Sequence, residues 1–191
     1  VSDRFKQSKS AGGIARDWTF GYTPLLSRVG TNISKEVQFG GFLSRDVSTH
    51  SEHIDQMIKN LSGSGRPNIA ITGKVGVGKT TLVYSLAQRL LYDKKLPQDL
   101  RFNQRVSLNA GAIMALANER VPIELILRNI VEEAVKAKNI ILFFDEAELF
   151  TKSGTGSLDL TGTLLPLLEK SRLKTIMNFE LNHWQQLMAA N

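Results

Sequence analysis

Cysteine is absent from the 191 residues, which removes disulfides and thiolate metal sites and suits a reducing, cytoplasmic setting. Histidine is scarce as well. Of the three present, His50 and His53 stand close together, but no carboxylate-rich or thiolate set accompanies them, so they read as surface side chains rather than metal ligands. No apolar run reaches the roughly 18 residues that a membrane-spanning helix needs. The first residues are polar and charged, without the pattern of a signal peptide. Internal repeats and low-complexity tracts are missing too. Val1 stands where a Met would begin a chain, and an apolar helical pattern runs up to Asn191, so we expect a segment of something longer.

What is present is an ordinary globular composition. Apolar residues make up 42%, enough for a full core in one domain plus an extension. Basic residues outnumber acidic ones, 24 to 18, for a net charge of +6. Such a balance can draw nucleic acid or acidic lipid. Here the cations are scattered (Lys94-Lys95, Lys136, Lys138, Lys170, Arg172, Lys174) with no interleaved aromatics. They read as solvated faces, and no nucleic-acid partner is expected.

Residues 1–30 are rich in Ser, Gly and charge and read as a flexible lead-in, with Trp18, Phe20 and Tyr22 near its middle. Residues 31–191 read as the folded domain. Asn32 to Phe42 is ambiguous. Ser51 to Leu61 has Ile54, Met57, Ile58 and Leu61 on one helical face, and the Ser62–Pro67 stretch breaks it. Strands are expected at Asn68–Thr72, Arg105–Leu108, Ile140–Phe144 and Thr175–Phe179. Helices are expected at Thr80–Tyr92, Ala110–Asn118, Pro122–Ala137 with Pro122 as first helical residue, Leu158–Ser171 with a kink or break at Pro166, and Leu181–Ala190. This alternation predicts an α/β fold with a parallel sheet.

One stretch organises the chain. Ile69-Ala-Ile-Thr-Gly-Lys-Val-Gly-Val-Gly-Lys-Thr-Thr81 is an apolar strand, a glycine-rich turn and the start of a helix. Gly73, four residues, then Gly78-Lys79-Thr80 complete the P-loop pattern. A loop wrapped around phosphates must point consecutive N–H groups inward, which requires positive φ or a missing side chain at some positions. Gly73, Gly76 and Gly78 supply them, and the helix N-terminus adds its positive end. Lys79 offers a cation to the β- and γ-phosphates, and Thr80 a hydroxyl to Mg²⁺. A dinucleotide fingerprint begun at Gly76 would need glycine where Thr81 stands.

A second constellation, Asn139-Ile-Ile-Leu-Phe-Phe-Asp-Glu146, ends a buried strand in two acids. Asp145 is placed to orient Mg²⁺ through its water shell, and Glu146 to polarise the water that attacks the γ-phosphate. Parallel sheets bind ligands at the carboxyl ends of their strands, so both stretches should converge on one crevice.

From about Thr23 onward the chain resembles the first ATPase module of the Clp-type AAA+ unfoldases and disaggregases. The resemblance is carried by Thr23-Pro24-Leu25-Leu26, Phe42-Leu43-Ser44-Arg45-Asp46, Leu96-Pro97-Gln98-Asp99-Leu100, Arg105 through Ala112, Leu142 through Glu146, and Leu173-Lys174-Thr175-Ile176. It implies a P-loop NTPase sheet flanked by helices, the AAA+ large subdomain, truncated before the family's helical lid, arginine fingers and fifth strand. It implies ATP or ADP held by the loop residues Gly73, Lys74, Val75, Gly76, Val77, Gly78, Lys79, Thr80 and Thr81, with Phe42 and Leu43 at the adenine. Mg²⁺ would be held by Thr80 and Asp145, with Glu146, Lys79 and Asn178 as catalytic residues. Asn178 is the polar side chain beside the family's sensor-1 position.

As partners the resemblance implies further copies in a hexameric ring, protein substrates and a possible protease. With no neighbour's arginine, hydrolysis by the chain alone should be slow. The chain departs from the family at Asn118-Glu119-Arg120-Val121, where a pore aromatic is usual, at Met177-Asn178-Phe179-Glu180 in place of Gly-Ala-Thr-Thr, and at Lys74-Val75 in place of an acid and a proline. Three readings follow: a protein-remodelling ATPase, a nucleotide-dependent adaptor that does not thread substrate, and a nucleic-acid remodeller such as a helicase loader. The last predicts salt-sensitive DNA binding.

Overall fold

A computed structural model of the chain describes residues 23–40, 50–63, 65–97, 99–101, 103–117, 121–151 and 161–190. Phe42, Leu43 and the rest of the Phe42–Asp46 stretch, expected at the adenine, and Asn118–Arg120, where the family's pore aromatic is usual, lie outside the described residues.

The sheet is built from β1 (Gly30–Asn32), β2 (Asn68–Gly73), β3 (Gln104–Leu108), β4 (Ile140–Phe144) and β5 (Lys174–Glu180), in the order β1-β3-β4-β5-β2. The last four are parallel, and β1 runs antiparallel against β3. The helices are α1 (Pro24–Val29), α2 (Ile33–Gln38), α3 (Ser51–Ser62), α4 (Lys79–Tyr92), α5 (Ala110–Leu116), α6 (Ile123–Ala137), α7 (Thr161–Ser171) and α8 (Leu181–Ala190), with a 3₁₀ turn at Ala147–Phe150.

The apolar run of β4 is buried throughout, because alternate side chains enter different layers. Leu142 and Phe144 pack with Ile113 of α5, Leu127 and Ile130 of α6, and Leu164 of α7. Ile141 and Phe143 pack with Ile54 and Leu61 of α3 and Val83 and Leu86 of α4. The P-loop helix is therefore clamped on one face of the sheet. Arg105, wholly buried on β3, donates from Nη2 to the Ala87 carbonyl of α4 at 2.7 Å and from Nη1 to the Asn103 carbonyl at 2.6 Å. That ties the helix to the strand.

The expected lead-in ends earlier than Gly30. Pro24–Val29 is helical, with Leu26 and Val29 buried, and it leads straight into β1. The expectation was misled because the cause is tertiary. The N-cap Thr23 makes no side-chain cap, and the two carboxylate oxygens of Glu133 on α6 accept from the N–H groups of Leu25 (3.2 Å) and Leu26 (2.9 Å) instead. Gly30 fits where a Cβ would lie 2.6 Å from Val106 Cγ1. Asn32 then caps α2 through Lys35 N and donates to Gln104 at 2.8 Å. Removing the distant cap by Glu133→Ala should cost about 1–2 kcal/mol, the usual worth of a helix cap. Urea unfolding should register it as a lower midpoint with unchanged slope.

Two smaller expectations shift at proline. Pro122 is the N-cap of α6 rather than its first helical residue. Helix α7 runs on through Pro166 without a break, since the one bond lost, to Gly162, lies in its first turns.

Candidate functional site

Three strand ends meet beside the N-terminus of α4. The loop Lys74–Gly78 leaves β2 with Gly76 at φ +79° and Gly78 at φ +98°, the left-handed region that glycine enters at no steric cost. Gly78 is also the N-cap of α4. A Cβ on Gly73 would lie 2.9 Å from Val77 Cγ1, so this position too has no room for a side chain. Val75 and Val77 are largely exposed. Lys79 folds back over the loop, its Nζ donating to the carbonyls of Gly73 (2.9 Å) and Lys74 (3.0 Å).

From β4 the carboxylate of Asp145 reaches across to Thr80, whose Oγ1 lies 3.1 and 3.2 Å from its two oxygens. From β5, Asn178 Nδ2 donates to Asp145 Oδ1 at 3.0 Å. The register of β5 thus turns Asn178 toward the phosphate loop. Its own Oδ1 is buried and has no hydrogen-bond partner among the described residues, an acceptor left for a ligand or water to satisfy. Glu146 follows at φ +55°, an uncommon conformation for glutamate that turns its side chain out to solvent. Of the sequence-predicted residues, the structure brings together Gly73, Lys74, Val75, Gly76, Val77, Gly78, Lys79, Thr80 and Thr81 with Asp145, Glu146 and Asn178.

Two contacts near the site escape a reading of the sequence. Tyr84, one turn after Thr80, donates to Glu36 Oε2 at 2.6 Å and so fixes α2 against the P-loop helix. Burial first, then the hydrogen bond to Glu36 and its charge, with a smaller contribution from Asp145, push its phenol far above the usual range. It therefore remains a donor. Glu180 closes β5 beside Gly73, its register partner. The only sequence signal for it is an acid at a strand's carboxyl end, as at Asp145. A separate cavity of about 350 Å³, lined by Ile69, Leu168, Met177, Phe179 and Trp184 among others, is chiefly apolar and carries none of these groups.

The donor set suits a nucleotide with a hard cation: a glycine loop at a helix N-terminus with a lysine for phosphate, and a hydroxyl and a carboxylate for Mg²⁺. Fold and site together define a P-loop nucleotide-binding domain of the α/β class. The family profile of the AAA ATPases, the ATPase family associated with various cellular activities, matches residues 69–190. The chain belongs to this family, and within it to the Clp type. It is 37% identical over 132 residues to the chaperone protein ClpB of Helicobacter hepaticus, covering 68% of this chain and 15% of that one. Against ClpB of Oceanobacillus iheyensis it is 30% identical over 166 residues, covering 86% and 20%. A closed-state reconstruction of Hsp104 with ATPγS and FITC casein superposes with a TM-score of 0.74 at 26% identity, over 86% of this chain and 28% of that one. The chain thus spans only about a fifth of the length of the ClpB relatives.

Proposed function

We propose that the chain is the ATP-binding and ATP-hydrolysing module of a Clp-like protein-remodelling machine that works as a hexameric ring. The observation that carries this reading is the hydrogen-bonded set Thr80–Asp145–Asn178, drawn from three elements and set against the phosphate loop. The loop's backbone and Lys79 hold the phosphates. Thr80 and Asp145, now bonded to each other, are the pair that would hold Mg²⁺, which when bound neutralises charge on the β- and γ-phosphates. Asn178 keeps the Asp145 carboxylate facing the loop. Glu146 takes the proton of the attacking water as that oxygen bonds to the γ-phosphorus and the bond to the β–γ bridging oxygen breaks. Polypeptide substrates and the ring are proposed from the relatives, of which Hsp104 was seen with casein. A cytoplasmic setting is proposed from the absence of cysteine.

A second reading keeps ATP binding but not threading. It is favoured by Glu119 in the stretch where the family carries its pore aromatic. Phosphate release by the full chain discriminates on chemistry. It should be slow, Mg²⁺-dependent and above the buffer rate, since an arginine from a neighbour is worth roughly 10³- to 10⁵-fold in related enzymes. ATP that binds and is never hydrolysed would leave the adaptor reading standing and reject the first.

A further inference from the structure

The carboxyl end of β5 holds an acid to which the reading above gives no role. Along β5, Ile176 packs in the layer of α4, whereas Met177 and Phe179 pack in the opposite layer. Asn178 returns to the α4 side, where it meets Asp145. By strand alternation Glu180 projects to that side as well. Its parallel partner is Gly73, and the direction of a Gly73 side chain is known from its surroundings. A Cβ there would lie 2.9 Å from Val77 Cγ1 and 3.8 Å from Lys79 Cδ. Paired residues of neighbouring strands, about 4.8 Å apart, project to the same side of the sheet. Glu180 therefore projects on the same side of the sheet as the cradle that Lys79 closes.

A cation stands one residue beyond Gly73. Lys74 is exposed, and its carbonyl is one of the two that hold Lys79 Nζ. Neither the Lys74 nor the Glu180 side chain makes a hydrogen bond or ion pair among the described residues, so both charges are available to a third party. Phosphate is the chemistry that would feel both. The third phosphate of a nucleoside triphosphate adds negative charge that a diphosphate lacks.

We propose that Glu180 and Lys74 set the preference of this site between nucleoside diphosphate and triphosphate. Glu180 disfavours the third phosphate, and Lys74, at the loop rim, offsets it. The inference rests on the nucleotide-binding reading. It predicts a site more even-handed toward ADP than a loop with a neutral residue opposite Gly73, and one whose preference is tuned by two opposite charges outside the shared phosphate grip.

The test is equilibrium binding of fluorescent ADP and ATPγS to the full chain, with Mg²⁺, at low and at physiological salt. Glu180→Gln should lower the ratio of the ATPγS Kd to the ADP Kd by about tenfold, the scale of one close like-charge contact partly screened by solvent. Lys74→Gln should raise that ratio by about threefold, since the exposed cation is more strongly screened. The double variant should fall between them. Because the ratio is taken within each variant, loss of folded protein lowers both affinities and leaves it unmoved. A ratio within about twofold of wild type in Glu180→Gln, while ADP still binds, overturns this proposal alone. Wild-type chain that binds neither nucleotide overturns the proposed function and this inference with it.

Discussion

Lys79→Ala is expected to weaken ATP binding by roughly 100-fold or more while leaving the fold intact. The magnitude comes from the contacts being lost. The Lys79 ammonium already makes two hydrogen bonds to the loop's own carbonyls, at 2.9 and 3.0 Å, so it is held at the mouth of the cradle. A phosphate chain would exchange those neutral acceptors for charged ones. Charge-assisted bonds are worth about 1.5–3 kcal/mol each, and about 1.4 kcal/mol is tenfold in affinity. Two of them give the stated loss. Stability should hold, because Lys79 is the first residue of α4 and alanine is the better helix former. Isothermal titration with ATPγS, beside a thermal melt of both proteins, measures the two quantities separately. An affinity within a few-fold of wild type would mean that the loop does not grip phosphate through this residue.

Much of the site is legible in the sequence because its determinants are local. A turn that needs positive φ at Gly76 and Gly78 writes glycine at those positions. A strand covered on both faces writes five consecutive apolar residues before Asp145. The helix Ser51–Ser62 is equally plain, since Ile54, Met57 and Leu61 must share one buried face. What stays hidden depends on pairings distant in the chain. The three residues of β1 carry no alternation of their own and form a strand because β3 offers them an edge. Helix α1 starts where it does because Glu133, over a hundred residues later, caps it. The direction of Asn178 needed the register of β5, and Glu180 gained meaning only once that register set it beside Gly73.

Glu146→Gln should separate binding from chemistry. The substitution keeps the size of the side chain and one of its oxygens but removes its capacity to accept a proton. ATP affinity should stay within about twofold, because the proposed phosphate grip is the loop and Lys79 rather than this exposed side chain. Turnover should fall by about 10²- to 10⁴-fold, the range that a positioned general base contributes. The backbone gives a second reason to expect a clean result. Glu146 sits at φ +55° as the residue that starts the 3₁₀ turn, and glutamine faces the same steric cost there, so the turn need not rearrange. Asp145→Asn lacks this selectivity: its amide can keep the hydrogen bonds with Thr80 and Asn178 but removes the negative charge that a cation beside Thr80 would meet. The pair of variants therefore distinguishes a base from a positioning ligand. The Gln variant should trap bound ATP with Mg²⁺ dependence retained, and the Asn variant should weaken that dependence. Unchanged phosphate release by Glu146→Gln would remove Glu146 from the chemistry and leave Asp145 as the acid to test next.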